Sequence, residues 1–360
     1  NPVENRFAVL PFEPVKNVKK IAITIEQVGY TAVSLAEICF LPYDEGKQLD
    51  KEISSLFTNE LCTELRGGVT ETEIDELEQR LKTESVYYLY PETMQDELAL
   101  ARELLKNENS GVVIEGIESR DTSQDSKYQQ GGSGLQPLGA AAKAGQEITV
   151  YAAGIPAGET VTLYATQFNA EASTWQAKIG TLQNGRNVLT VPQIGSSTTT
   201  QRGGSLYLTY GGKNPDGIKL HVRRAVDIPM LDVADWYSEE NSEATLRERI
   251  RTYVVELNAY VGKQGITSSN SLTNCLNVTE ISTPTVLLSL PAAAVAGANS
   301  TNQKTVEGQV ETIYNSILAW EDVMHICKTT QGIDKTYGEN DMHSRQNIRC
   351  MTMFSGAFMY

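Results

Sequence analysis

The sequence is 360 residues long, 40% hydrophobic and 21% charged, enough chain for two or three domains each with its own core. A formal net charge of -15 argues against nucleic acid or anionic lipid as a partner. No apolar run reaches the roughly 18 residues of a membrane span, and no signal peptide is visible.

The chain opens Asn1-Pro2-Val3, without an initiator Met, and soon alternates in the manner of strands, which predicts that a segment upstream has been removed. Arg6-Phe7-Ala8-Val9-Leu10, Lys20-Ile21-Ala22-Ile23-Thr24-Ile25 and Ser34-Leu35-Ala36-Glu37-Ile38-Cys39-Phe40 read as the closing strands of a sheet over residues 1–46. From about Leu49 the period becomes helical. Ile53, Phe57, Leu61 and Leu65 recur every fourth residue, with Gly67-Gly68 as the stop. Thr70-x-x-Glu73 is a capping box for a second helix bearing Ile74, Leu77 and Leu81. Pro91 and Thr93 precede a third, with Met94, Leu98, Ala101 and Leu105. Residues 47–120 therefore read as a helical spacer. Residues 44–125 hold 21 acidic and 8 basic side chains, a net of -13, as expected of a solvated helical face.

Residues 121–134 have linker composition, ending Gln129-Gln130-Gly131-Gly132-Ser133-Gly134. Short strands follow at 147–152, 160–166, 175–180, 187–191, 205–210 and 218–222. Gly154, Gly158, Asn184-Gly185 and Asn214-Pro215-Asp216-Gly217 supply the turns, which predicts an antiparallel β-sandwich over 135–234. Helical period returns at Ser242. Thr245-x-x-Glu248 is expected to cap a helix carrying Leu246, Ile250, Tyr253, Leu257 and Tyr260. Thr285-Val286-Leu287-Leu288-Ser289-Leu290-Pro291 looks like a buried strand. A longer helix then carries Val306, Val310, Ile313, Ile317, Trp320 and Met324. Residues 235–360 thus open a mixed α/β unit that does not read as finished.

The chemistry is sparse. A zinc-peptidase helix needs two imidazoles one turn apart with a glutamate beside the first. His221, His325 and His343 have Ala225, Thr329 and Asn347 four residues on, so none starts such a motif. Cys39, Cys62, Cys275, Cys327 and Cys350 are scattered singly and read as buried free thiols. Neither Gly-x-Ser-x-Gly nor a phosphate loop occurs. His325 and Cys327 sit two apart, where helical side chains diverge. With 45 Asp and Glu, a glycosidase-type carboxylate pair cannot be chosen from sequence. Among aromatics that could stack on sugars, Trp320 reads as core and Trp175 as either core or surface. Trp236-Tyr237 reads as a plausible exposed pair in a domain connection.

Ala144-Gly145-Gln146-Glu147-Ile148-Thr149-Val150, Gly203-Gly204-Ser205-Leu206-Tyr207-Leu208 and Ile218-Lys219-Leu220-His221-Val222, followed by Ile228-Pro229-Met230-Leu231, carry a resemblance. In that order they resemble the β-sandwich that precedes the catalytic part of enhancin-like, mucin-degrading zinc metallopeptidases of the gluzincin type. Residues 18–40 look like the last strands of a discoidin-type (coagulation-factor type C) carbohydrate-binding module. The stretch Arg345-Gln346-Asn347-Ile348-Arg349-Cys350-Met351-Thr352-Met353-Phe354-Ser355-Gly356-Ala357-Phe358-Met359-Tyr360 resembles the approach to that family's active site.

The resemblance implies a multidomain α+β chain: partial β-sandwich strands, helical spacer, antiparallel β-sandwich, then the start of a mixed α/β catalytic-type domain. It implies a parent that cleaves glycoproteins such as mucins and is secreted or displayed by a host-associated bacterium. The zinc helix would lie beyond Tyr360, so no catalytic, cofactor-binding or metal-binding residue is assigned in this chain. Zinc is expected only in the complete parent, and this chain alone is expected to be inactive. The competing expectation is a non-enzymatic cell-surface carbohydrate-binding or adhesion protein. Ser355-Gly356-Ala357-Phe358-Met359-Tyr360 is apolar and predicts an exposed patch or local disorder at this end.

Overall fold

A computed structural model describes Lys20, Ala22 and residues 43–83, 86–107, 112–117, 134–167, 175–194, 202–297, 305–332 and 346–349. The chain divides into two compact units, Asn1–Ser110 and Gly111–Tyr360. Apart from Lys20 and Ala22, the expected strands before residue 43 lie outside the described residues, as do residues 121–133 of the expected linker and the apolar stretch 355–360.

The first unit holds helices α1 (Tyr43–Ser54), α2 (Glu71–Leu81) and α3 (Pro91–Leu105). Leu49, Ile53, Leu56, Ile74, Leu77, Met94, Leu98 and Ala101 are buried. Thr70 caps α2 as its spacing predicts, accepting the Glu73 N–H at 3.2 Å. Pro91 occupies the first turn of α3, where its missing N–H costs nothing. Arg102 of α3 reaches Glu71, Asp75 and Glu78 of α2 at 3.0, 2.7 and 2.6 Å.

The four-residue spacing beyond Ile53 misleads. Helix α1 ends at Ser54, and the chain folds back so that Phe57 and Leu65 form an antiparallel bridge. Asn59 offers its side-chain oxygen to the Thr63 N–H at 3.1 Å, a local bond that competes with helical continuation. Cys62 adopts a φ of 53°, which no helix accommodates. Phe57 and Leu61 remain buried, but from a loop.

The second unit contains the predicted sandwich. One antiparallel sheet runs β1-β8-β3-β6 and the other β5-β4-β7-β2-β9. In chain order these strands are β1 (Val113–Ile114), β2 (Gln136–Ala142), β3 (Glu147–Ala153), β4 (Val161–Thr166), β5 (Gln176–Leu182), β6 (Gly185–Thr190), β7 (Gly204–Tyr210), β8 (Lys219–Arg223) and β9 (Val226–Asp227). Ile148 and Val150 of β3, Leu163 of β4, Leu206 and Leu208 of β7 and Leu220 of β8 interlock in one core between the sheets. The strand at 113–114, upstream of residues 121–134, pairs with His221 and Leu220. The Asn184-Gly185 turn passes the chain from one sheet to the other, since β5 pairs with β4 while β6 pairs with β3. Asn184 fastens it by bonding the Ile155 N–H at 2.8 Å and the Ile155 carbonyl at 3.0 Å.

Beyond the sandwich stands a mixed sheet, ordered β10-β11-β12-β13. Its strands are β10 (Met230–Asp232), β11 (Thr279–Ser282), β12 (Val286–Leu290) and β13 (Gln346–Arg349). The pairs β10–β11 and β12–β13 are parallel, and β11–β12 is antiparallel. Parallel neighbours need a crossover. Helix α4 (Glu243–Lys263) lies between β10 and β11 in sequence; a short α5 (Ala292–Val295) and the long α6 (Val306–Gln331) lie between β12 and β13. The cap of α4 is Ser242, which accepts the Thr245 N–H at 3.1 Å. Thr245 itself already sits inside the first turn, so the predicted start falls late. Helix α6 carries the predicted stripe, and Val310, Ile313, Ile317 and Met324 are buried against α4 and one face of the sheet.

Candidate functional site

Strand alternation splits the mixed sheet into two unlike faces. Leu231, Ile281, Val286, Leu288 and Ile348 point to the helices and join their apolar core. The opposite face carries a polar row, because Glu280 lies opposite Ser289 and Ser289 opposite Arg349. Leu287, on that same face, packs with Leu135 and Tyr207, and Tyr164 and Trp175 border them. The polar row therefore faces the five-stranded sheet of the sandwich.

Within this layer Ser289 Oγ lies 2.8 Å from a Glu280 carboxyl oxygen and 2.6 Å from the Tyr207 hydroxyl. Glu280, Ser289 and Tyr207 are each fully buried. Burial pushes the Glu280 carboxyl up to about 7, against the Ser289 hydrogen bond and the nearby hydroxyls of Tyr207 and Ser205, which favour the charged form. Burial, and the Glu280 charge after it, hold the Tyr207 hydroxyl well above its ordinary value. Arg349 lays its guanidinium over the Trp175 ring at 3.6 Å, and burial lowers its proton affinity. A buried carboxyl that titrates near neutrality is a mark of many active sites. Here Glu280 is closed in on all sides, so it can hold or release a proton but cannot touch a substrate.

No strong sequence signal singles this group out. Glu280 sits in the β-branched run Val278-Thr279-Glu280-Ile281, where strand alternation would have flagged an inward carboxylate, but only once Thr279–Ser282 is recognised as a strand.

The sequence-derived candidates go elsewhere. His221 is buried in β8, its ring 5.9 Å from that of Tyr151. His325 and Cys327 are both exposed on α6, and His343 lies outside the described residues. Among the described residues no group of three His, Cys, Asp or Glu side chains is placed to hold a metal ion, so the donors there do not fit a zinc site. The buried-thiol expectation holds for Cys62; Cys275 is only partly covered and Cys327 is exposed. Cys39 and Cys350 lie outside the described residues. Trp236 is buried against Tyr314, with ring centroids 5.2 Å apart, which corrects the exposed reading of that residue. Tyr237 beside it is 68% exposed. Trp320 is half-buried against the helical core, and Trp175 is half-buried with Arg349 over one ring face.

No helix among the described residues is long and apolar enough to cross a membrane. No family model and no curated protein matches the sequence. Solved structures do match. The CBM32-1, CBM32-2 and M60 catalytic domains of Clostridium perfringens ZmpB align with a TM-score of 0.56 at 20% identity, over 85% of this chain and 30% of that one. In fold, the chain resembles M60 metallopeptidases. A metallopeptidase from Bacteroides thetaiotaomicron aligns with a TM-score of 0.51 at 15% identity, over 85% of this chain and 46% of its own. The M60 catalytic domain of Clostridium perfringens ZmpC, solved in complex with the sialyl T antigen, aligns with a TM-score of 0.50 at 22% identity, over 69% of this chain and 46% of its own. The chain spans less than half the length of each of these structures.

Proposed function

We propose that this chain is the N-terminal portion of an enhancin-like zinc metallopeptidase that acts on glycoproteins such as mucins. The observation that carries the reading is the shared fold over 85% of the chain with a structure comprising carbohydrate-binding and M60 catalytic domains. On this reading the sandwich of β1–β9 supports the catalytic part, and the mixed sheet β10–β13 with α4 and α6 begins it. Zinc and its His-Glu-x-x-His helix belong to sequence beyond Tyr360, and the segment before residue 43 closes a discoidin-type module. Secretion or surface display follows from the same reading, since the substrate lies outside the cell.

The test compares two proteins from one reading frame: the 360-residue chain and a chain extended at its C-terminus. Both are incubated with O-glycosylated mucin, with and without a chelator. The extended chain is expected to carry His-Glu-x-x-His and to cleave, and the chelator to stop it. A frame without that motif, or an extended chain that binds mucin glycans without cleaving them, would overturn the peptidase reading in favour of a surface binding protein.

A further inference from the structure

The layer between the sandwich and the mixed sheet holds a chain of three polar side chains from three strands. Tyr207 comes from β7, Ser289 from β12 and Glu280 from β11. A serine hydroxyl has one proton, so with Ser289 Oγ 2.8 Å from Glu280 and 2.6 Å from Tyr207 it donates to one neighbour and accepts from the other. Against an ionised Glu280 the order runs one way: Tyr207 donates to Ser289, and Ser289 donates to the carboxylate. A proton on Glu280 frees that order and removes a buried charge. The second carboxyl oxygen of Glu280 has no hydrogen-bond partner, and neither does the buried hydroxyl of Ser205. An unpartnered buried oxygen costs much more on a carboxylate than on a neutral acid.

We propose that Tyr207, Ser289 and Glu280 form a protonation-dependent latch, closed when Glu280 is neutral and loosened when it ionises, that ties the sandwich to the mixed sheet.

The groups facing Glu280 support this assignment. From β7 come the hydroxyls of Tyr207 and Ser205, and from β12 comes Ser289, which donates to the carboxyl; all three are uncharged, and each favours its ionised form. On β13 Arg349 occupies the next position in the row, but its charge acts on Tyr207 and its guanidinium is stacked on Trp175. From α4, behind the sheet, Tyr253 senses the Glu280 charge while bonding Thr279 at 2.8 Å. On β10 the neighbour opposite Glu280 is Met230. Among the described residues no cation acts on this carboxyl, and burial raises its proton affinity to about 7. Tyrosines stay neutral throughout that range, so Glu280 alone switches.

The experiment is amide hydrogen exchange on the full 360-residue chain at about pH 5.5 and about pH 8.5, corrected for intrinsic rates, in wild type and Glu280→Gln. In wild type, β7 and β12 are expected to lose protection by about tenfold or more at the higher pH. In Glu280→Gln, a neutral isostere, protection is expected to be the same at both. Equal pH dependence in the two proteins, or none in wild type, would overturn the latch. Should Glu280→Gln fail to fold, the infrared spectrum of wild type decides. A protonated carboxyl band that persists at about pH 5.5, where surface carboxylates are ionised, and disappears by about pH 8.5 supports the proposal. Absence of that band at the lower pH overturns it.

Discussion

Glu321, on α6, lies with one carboxyl oxygen 2.5 Å from the Thr283 hydroxyl, and that same oxygen accepts from both the hydroxyl and the N–H of Thr285. One side chain thereby fastens the turn between β11 and β12 to the long helix, and Glu321 is buried in doing so. Replacing it with alanine leaves the Thr285 N–H and hydroxyl without this acceptor and the Thr283 hydroxyl with only the Val286 carbonyl. We expect Glu321→Ala to lower stability by about 3 kcal/mol and Glu321→Gln, which keeps the oxygen, by about 1 kcal/mol. Urea denaturation of the two variants checks the difference, and equal losses would show that the acceptor is not what matters.

Glu280 gives stability a sign that is unusual for a carboxylate. Its folded value, about 7, lies above the ordinary 4.5, so between those values the folded state holds more protons than the unfolded state. Stability must then fall as pH rises through that window, by on the order of 3 kcal/mol, and Glu280 contributes no further change above or below it. Denaturant midpoints measured at pH steps across the window should decline in wild type. In Glu280→Gln this component of the decline should vanish.

Gly154 sits at φ 74° in the turn after β3, where a Cβ would come 1.9 Å from the Gly217 carbonyl oxygen. Left-handed backbone and a backbone clash act together at this position. Gly154→Ala should destabilise the sandwich by about 3 kcal/mol or more. Gly158 also has positive φ, at 83°, but open space around it. Its alanine variant should cost only about 1 kcal/mol. Thermal melts of the pair separate the clash from the backbone term.

Arg102 meets three carboxylates from α2, but its partners Glu71 and Asp75 are more than half exposed. Water and salt screen such pairs, so Arg102→Ala should cost no more than about 1 kcal/mol, and the loss should shrink as salt is raised. A salt-independent loss would point instead to the packing of its aliphatic stem.

What could be read from the sequence followed the strength of local signals. Thr70, Pro91 and the alternating strands of the sandwich carry their instructions within a few residues, and the structure places them accordingly. The stretch from Phe57 to Leu65 has helical spacing by coincidence. Its burial comes from a folded-back loop whose Asn59 bond no periodicity reports. The polar layer was harder still to foresee. Glu280, Ser289 and Tyr207 acquire their meaning only when β7 packs against the mixed sheet, a tertiary event without a sequence period. The burial of Trp236 is hidden from the sequence for a similar reason, since its cover is Tyr314 from a distant helix.

The strand order of the sandwich has a consequence for how it comes apart. Between β2 and β9 the chain changes sheet at almost every connection, and among the described strands β4–β5 is the one consecutive pair that are also hydrogen-bonded neighbours. Neither sheet can therefore assemble as a run of hairpins, or peel away and leave the other standing. Most contacts that close the structure are between segments far apart along the chain, which slows folding and makes loss of order collective. A pull on either sheet is resisted by both, so the sandwich should yield in one step, as a single mechanical element.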